Sequence, residues 1–115
     1  ISMAVCTNKQ EHLAIDLLKK IGIYDYFEYV AGSNTFDYCK PDPRHLTNVI
    51  EILGGEIKRS IMIGDSETDA NAGKNAGMFT VAADFGFIGP DKDIHSWNAD
   101  VNINNPIDLI KILSL

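Results

Sequence analysis

Residues 64–69 carry side chains whose types and spacing suit metal chemistry. They read Gly-Asp-Ser-Glu-Thr-Asp and follow the short apolar run of residues 61–63. A buried parallel strand that ends in this way releases its next side chains at the carboxyl edge of the sheet, where open α/β sheets bind ligands. Asp65 and Asp69 lie four residues apart, so a helix that begins near Thr68 would turn both carboxylates toward one crevice. Two converging carboxylates suit a hard cation such as Mg²⁺.

A second interpretation of the same segment is purely structural. Ser66 followed three residues later by Asp69 fits the S/T-x-x-D/E capping pattern. Acidic side chains also stabilise a helix N-terminus by interaction with its dipole. Helix capping and metal binding therefore both remain open for this segment taken alone.

Two further polar segments suit the binding of a phosphate group. Thr7 and Asn8 follow an apolar run, and unpaired backbone N–H groups at the start of a helix there would bind an anion. Lys40 precedes a Pro-Asp-Pro sequence whose prolines stiffen the backbone, and a lysine held nearby would neutralise phosphoryl oxygens. A cation, a lysine and a hydroxyl group at one edge of the sheet are groups that suit phosphoryl transfer. The plain alternatives are a capping box of Thr7 with Gln10 and an ordinary surface role for Lys40.

The elements that must position these residues alternate along the chain. Hydrophobic periodicity and glycine or proline stops predict strands over residues 3–6, 29–32, 60–63, 79–83 and 101–103. They predict helices over residues 9–21, 43–53, 68–76 and 106–113, with a short helix over 91–97. This alternation requires right-handed crossovers, so we predict an α/β fold with a doubly wound, mainly parallel sheet in a three-layer α/β/α arrangement.

Composition excludes several classes of function. The 115 residues, 45% hydrophobic, have the size of one domain with its own core. A net charge of -6 argues against nucleic acid or an anionic membrane as partner. No signal sequence or membrane span is evident, which favours a cytoplasmic protein. Cys6 and Cys39 have no metal-ligand spacing and are expected to be free thiols, and the three histidines receive no functional role.

Three segments together resemble the second, third and fourth motifs of the haloacid dehalogenase (HAD) superfamily. They are Thr7-Asn8-Lys9, Lys40-Pro41-Asp42-Pro43 and the acidic segment of residues 64–69. The combination most resembles the phosphoglycolate phosphatase group. The resemblance implies a HAD-like, Rossmannoid fold and a Mg²⁺-dependent phosphate monoester hydrolase whose substrate is a small phosphorylated metabolite, 2-phosphoglycolate.

The resemblance also implies a role for each matching residue. Thr7 would bind the transferring phosphoryl group with help from Asn8, and Lys40 would orient the nucleophile and the phosphate. Asp65 would coordinate Mg²⁺, and Asp69 would support the water shell of the metal.

The first motif of the family, an Asp-x-Asp-x-Thr/Val that supplies the aspartate nucleophile and the acid/base aspartate, has no match in this sequence. The only Asp-x-Asp is residues 91–93, which follow Gly89-Pro90 and are predicted to be a solvated loop. The substrate-selecting cap is also missing. Residues 1–115 are therefore expected to form a single partial HAD-like core domain that lacks its central strand. Alone, it is expected to be inactive by the covalent aspartyl route, and strand completion or domain swapping would give a homodimer.

Three alternatives stay open. A nucleotidase or a sugar-phosphate phosphatase of the same superfamily has the same motifs. A non-catalytic module that binds Mg²⁺ or phosphate would lack the nucleophile. A receiver-type signalling domain shares the doubly wound fold, but it needs a phospho-acceptor on a strand before the lysine motif, and none is visible.

Overall fold

The computed structural model describes residues 1–85 and 92–114, and in these ranges strands and helices alternate. The strands are β1 Ala4–Cys6, β2 Tyr29–Ala31, β3 Ile61–Gly64, β4 Phe79–Ala83 and β5 Val101–Ile103. The α-helices are α1 Glu11–Lys20, α2 Arg44–Ile52, α3 Glu67–Ala76 and α4 Asp108–Ile112, with 3₁₀ helices at Tyr24–Tyr26, Ile57–Arg59 and Ile94–Trp97. The predicted order of elements is confirmed. The helix predicted over 91–97 is a shorter 3₁₀ helix, and Asp91 lies outside the described residues.

The strands form two separate parallel sheets. β1 pairs with β2, and β3, β4 and β5 pair in that order, all in parallel. Within the described residues no strand pairing joins β1 to β3, so each of these strands has one unpaired edge. The mainly parallel α/β fold is therefore confirmed, with its sheet in two parts.

Helices cover both faces of the strands. On one face α2 and α3 contact each other, and Leu46, Met62 and Ala72 form a shared core against which Cys6 of β1 packs. On β4, Ala82 packs toward Ala70 of α3 and Trp97. The neighbouring residues Val81 and Ala83 pack instead with Leu109 and Ile112 of α4. Because successive strand residues point to opposite faces, α3 and α4 lie on opposite sides, which confirms the three-layer arrangement.

Part of the apolar stripe of α1 remains in contact with solvent. Ala14 is buried, whereas Leu13 and Leu17 are 48% and 46% exposed. The amphipathic pattern predicted the helix correctly, but only part of its apolar face meets the strands. In the described parts of the chain, no helix is both long and apolar enough to cross a lipid bilayer.

The small residues of α3 allow a close approach to the strands. A Cβ atom added at Gly73 would lie 2.6 Å from Oγ1 of Thr80 and 3.0 Å from Cβ of Met62. We expect Gly73→Ala to destabilise the chain by about 1–3 kcal/mol, because the core must shift to admit the methyl group. The measurement is the urea midpoint of unfolding. Asn75→Ala, at an exposed position of the same helix, is the control, and an equal midpoint shift in both variants would contradict the packing explanation.

Candidate active site

A cleft of about 380 Å³ opens between the two sheets, at the carboxyl ends of β1, β3 and β4. Its lining residues are Cys6, Thr7, Lys40, Met62, Ile63, Gly64, Asp65, Asp69, Ala83 and Phe85. The cleft brings together four of the five residues that the sequence singled out. The fifth, Asn8, does not line it but donates a hydrogen bond of 2.9 Å from its side-chain amide to the carbonyl oxygen of Lys40.

A buried ion pair stands at the centre of the cleft. Nζ of Lys40 donates to Oδ1 of Asp69, and the two residues are only 8% and 7% exposed. Since Lys40 is buried and paired, its interpretation as an ordinary surface lysine is wrong. The pair joins the two halves of the chain, because Lys40 follows β2 and Asp69 lies on α3 after β3.

Asp69 also caps α3. Its Oδ2 accepts from the backbone N–H of Ser66 at 3.2 Å, and its own N–H donates to Oγ of Ser66 at 3.2 Å. The capping interpretation is therefore confirmed, and Asp69 both caps α3 and lines the cleft. Both carboxylate oxygens of Asp69 already accept hydrogen bonds, so Asp69 suits a metal's water shell better than direct coordination.

Gly64 makes room for this carboxylate. A Cβ atom at this position would overlap the carboxylate group of Asp69, so any larger residue would force Asp69 to move. Sequence reasoning used Gly64 only as the end of a strand and missed this requirement. The available signal was its place between an apolar run and the acidic segment, where a close approach calls for glycine.

The loop after β1 supplies Thr7. Its backbone N–H donates to the carbonyl of Ala31 at 2.9 Å, and its Oγ1 accepts from the N–H of Lys9 at 3.1 Å. The alternative capping box of Thr7 with Gln10 is wrong, because α1 begins after Gln10 and that N-cap has no side-chain hydrogen bond. Thr7 instead lines the cleft, as Lys40 does.

Asp65 is the exposed carboxylate of the cleft. Residues 1–85 and 92–114 contain no group of three or more Asp, Glu, His or Cys side chains that could hold a metal ion. Mg²⁺ usually keeps several waters and binds proteins through one or two carboxylates. Asp65 as direct ligand and Asp69 behind the water shell therefore fit the ion, and further oxygen ligands would come from water or from outside these residues.

The segment that carries Lys40 is held on several sides. Asp42 accepts from the N–H of Arg44 at 2.9 Å and pairs with its guanidinium at 2.7 Å, which lowers the pKa of Asp42. Helix α2 begins at Arg44, one residue after the predicted start at Pro43. His45 is buried against Lys40, a position that the sequence did not reveal.

Cys6 and Cys39 are free thiols, as expected. The pKa of Cys6 is raised to about 11, mainly by burial of the thiol. The positive charge of Lys40 lowers this pKa and the negative charge of Asp69 raises it. At pH 8 only about 0.1% of it would be thiolate, the reactive form. We expect Cys6 to resist iodoacetamide at pH 8 in the folded chain and to react once urea unfolds it, as peptide mass spectrometry would show. Equal modification of Cys6 with and without urea would contradict this environment.

Of the Asp-x-Asp residues 91–93, Asp91 lies outside the described residues. Asp93 accepts from the N–H of His95 at 3.0 Å at the start of a 3₁₀ helix and does not line the cleft. Asp93 therefore serves local structure.

Two parallel sheets in an α/β fold bring a threonine, a lysine and two aspartates to one cleft, and comparison with known proteins identifies the family. The model of the haloacid dehalogenase-like hydrolases matches residues 1–83. The chain belongs to this family, which confirms the resemblance in its motifs.

Related proteins carry a consistent name. The phosphoglycolate phosphatase of Mesorhizobium japonicum is 46% identical over 85 residues, which are 74% of this chain and 37% of that protein. The phosphoglycolate phosphatase of Aquifex aeolicus is 33% identical over 111 residues, 96% of this chain and 50% of that protein. The chain thus spans half or less of the length of these two relatives.

Solved structures show the same architecture. A predicted phosphoglycolate phosphatase from Haemophilus somnus aligns with a TM-score of 0.90 at 26% identity, over 97% of this chain and 49% of that one. A HAD phosphatase from Thermococcus onnurineus aligns with a TM-score of 0.82 at 30% identity, over 97% of this chain and 50% of that one.

Proposed function

We propose that this chain forms the core of a Mg²⁺-dependent phosphate monoester hydrolase that converts 2-phosphoglycolate to glycolate and phosphate in the cytoplasm. The observation that carries the proposal is the convergence of Thr7, Lys40, Asp65 and Asp69 in one cleft at the carboxyl edge of parallel strands. Membership of the hydrolase family supports the reaction class. The names of the relatives support the substrate.

Each residue of the cleft has a distinct task in this proposal. The hydroxyl group of Thr7 binds a phosphoryl oxygen. Lys40 neutralises phosphoryl charge, since its ammonium group has three donors and Asp69 accepts from only one. Asp65 holds Mg²⁺, which would polarise the phosphate when bound. Asp69 keeps Lys40 in place and supports the metal's water shell.

The proposal includes a nucleophile from outside the described residues. Covalent phosphoryl transfer needs a carboxylate that can attack phosphorus. Within the described cleft, both oxygens of Asp69 are engaged and Asp65 is assigned to the metal. The sequence also has no Asp-x-Asp-x-Thr/Val motif to supply the nucleophile, so we expect the 115-residue chain alone to release no phosphate from 2-phosphoglycolate with Mg²⁺.

The open edges of β1 and β3 call for another strand. Unpaired strand edges favour pairing with a further segment, and a second copy of the chain is one source of it. The proposal is that the isolated chain forms a strand-completed or domain-swapped homodimer, to be checked by sedimentation equilibrium. A stable monomer with a high melting temperature would contradict it.

A chimera tests the enzymatic part directly. The segment of the Aquifex aeolicus relative that matches this chain would be replaced by this chain, so that the relative supplies the remaining half. We expect Mg²⁺-dependent hydrolysis of 2-phosphoglycolate by the chimera and none after removal of Mg²⁺ with a chelator. Nucleoside monophosphates and sugar phosphates serve as competing substrates. A preference for one of these competing substrates would contradict 2-phosphoglycolate as the substrate. A folded chimera that binds phosphate but has no activity would favour a non-catalytic module.

A further inference from the structure

His45 is a buried polar residue in the first turn of α2, with 0% of its surface exposed. Its Nδ1 accepts a hydrogen bond of 3.0 Å from the backbone N–H of Lys40. Its ring meets Phe36 edge to face, with 6.2 Å between the ring centroids. A polar ring in such a place costs free energy unless its hydrogen bonds are specific, so its contact with Lys40 needs an explanation.

The contacts define the chemical form of the ring. A nitrogen that accepts a hydrogen bond carries no proton, so the neutral ring holds its proton on Nε2. Within the described residues Nε2 has no hydrogen-bond partner. Burial lowers the pKa of His45 from its ordinary value and Lys40 lowers it further, while the nearby carbonyls of Ala31 and Gly32 and the carboxylate of Asp42 act in the opposite direction. The hydrogen bond that Nδ1 accepts from Lys40 requires the neutral ring, which lies near the carboxyl end of β2.

Both polar groups of the Lys40 main chain are held by side chains. His45 accepts from its N–H at 3.0 Å, and Asn8 donates to its carbonyl at 2.9 Å. Asn8 belongs to the loop after β1 and His45 to α2, so two separate elements fix this residue. A fixed main chain limits where the ammonium group can reach, and Nζ meets Asp69 in the cleft.

We propose that His45 is a positioning residue for Lys40, whose neutral imidazole holds the Lys40 main chain so that the ammonium group stays in the cleft. The effect on phosphate rests on the proposed function, whereas the effect on the Lys40 main chain does not. No direct contact of His45 with substrate is implied.

Two variants separate positioning from packing. His45→Asn keeps a hydrogen-bond acceptor, because Oδ1 of asparagine is bonded to Cγ, as Nδ1 of histidine is. His45→Leu keeps apolar volume but removes the acceptor. In the 115-residue chain we expect His45→Leu to speed hydrogen exchange at the Lys40 amide roughly 5- to 10-fold, as loss of one hydrogen bond predicts. We expect His45→Asn to retain most of the protection. The dissociation constant for inorganic phosphate, from calorimetric titration, should rise by a similar factor in His45→Leu and stay near the original value in His45→Asn.

Nitrogen-15 NMR of the unmodified chain at pH 7.5 gives a readout that needs no variant. We expect an unprotonated Nδ1 with a through-bond coupling to the Lys40 amide. A proton on Nδ1, or unchanged Lys40 exchange in a folded His45→Leu variant, would overturn the positioning role. If the Lys40 amide behaves as expected but neither the original chain nor any variant binds phosphate, then the proposed function fails and the positioning role stands. If His45→Leu does not fold, the His45→Asn variant and the ring spectrum decide.

Discussion

Lys40→Met is expected to destabilise the folded chain by about 3–5 kcal/mol, because it removes one partner of a buried ion pair and leaves the other charge without compensation. Asp69 is only 7% exposed in the original chain. Among the contacts described above, its carboxylate would keep only the hydrogen bond from the N–H of Ser66. The measurement is the free energy of unfolding from urea titration. Lys58→Met, at an exposed lysine, should change it by less than about 0.5 kcal/mol.

A double-mutant cycle separates the ion pair from lost packing. Lys40→Met combined with Asp69→Asn leaves no unpaired charge, and Asn can still accept from Ser66. We therefore expect the double variant to be more stable than the sum of the two single changes predicts. Additive effects, or a Lys40→Met variant as stable as the original chain, would show that the pair carries little of the stability.

Asp65→Asn in the chimera is expected to lower kcat about 10²- to 10³-fold and to weaken the affinity for Mg²⁺, with the free energy of unfolding nearly unchanged. The reason is that Asp65 is exposed at the cleft, so the loss of its charge removes the proposed metal ligand without disturbing a buried contact. Steady-state kinetics over a range of Mg²⁺ concentrations checks the first part, and urea unfolding checks the second.

Glu67→Gln is the matched control for this experiment. Glu67 is an exposed carboxylate two residues further along the same segment and does not line the cleft. The Glu67→Gln variant should have a kcat and an affinity for Mg²⁺ close to those of the unmodified chimera. Unchanged kinetics in Asp65→Asn, or an equal loss in Glu67→Gln, would overturn the assignment of Asp65 to the metal.

The order of strands and helices was predictable because most of the apolar runs end within a few residues of a glycine or a proline. The strands predicted over residues 79–83 and 101–103 have those bounds in the structure. The capping of α3 by Ser66 was also predictable, since the pattern is local in sequence. These features depend on residues within a few positions of one another, and sequence periodicity reports such distances well.

The contacts across the cleft were not predictable in the same way. The partner of Lys40 is 29 residues away and the partner of Asn8 is 32 residues away. His45 received no role because its partner is a backbone N–H group, that of Lys40, and such a partner leaves no pattern in the sequence. The place of Gly64 between an apolar run and the acidic segment indicates a close approach, but only the tertiary packing shows that the approaching group is Asp69.

The cleft lies between β1 and β3, which each have one unpaired edge, and this position has a thermodynamic consequence. Lys40 follows the β1–β2 sheet and Asp69 follows β3, so the separation of the two sheets affects how the two residues meet. Any segment that enters between β1 and β3 and changes that separation would alter the affinity of the cleft for an anion. Linkage is reciprocal, so a bound anion must change the affinity for that segment by the same factor. Pairing of that segment with the strands and binding of an anion in the cleft are therefore thermodynamically coupled.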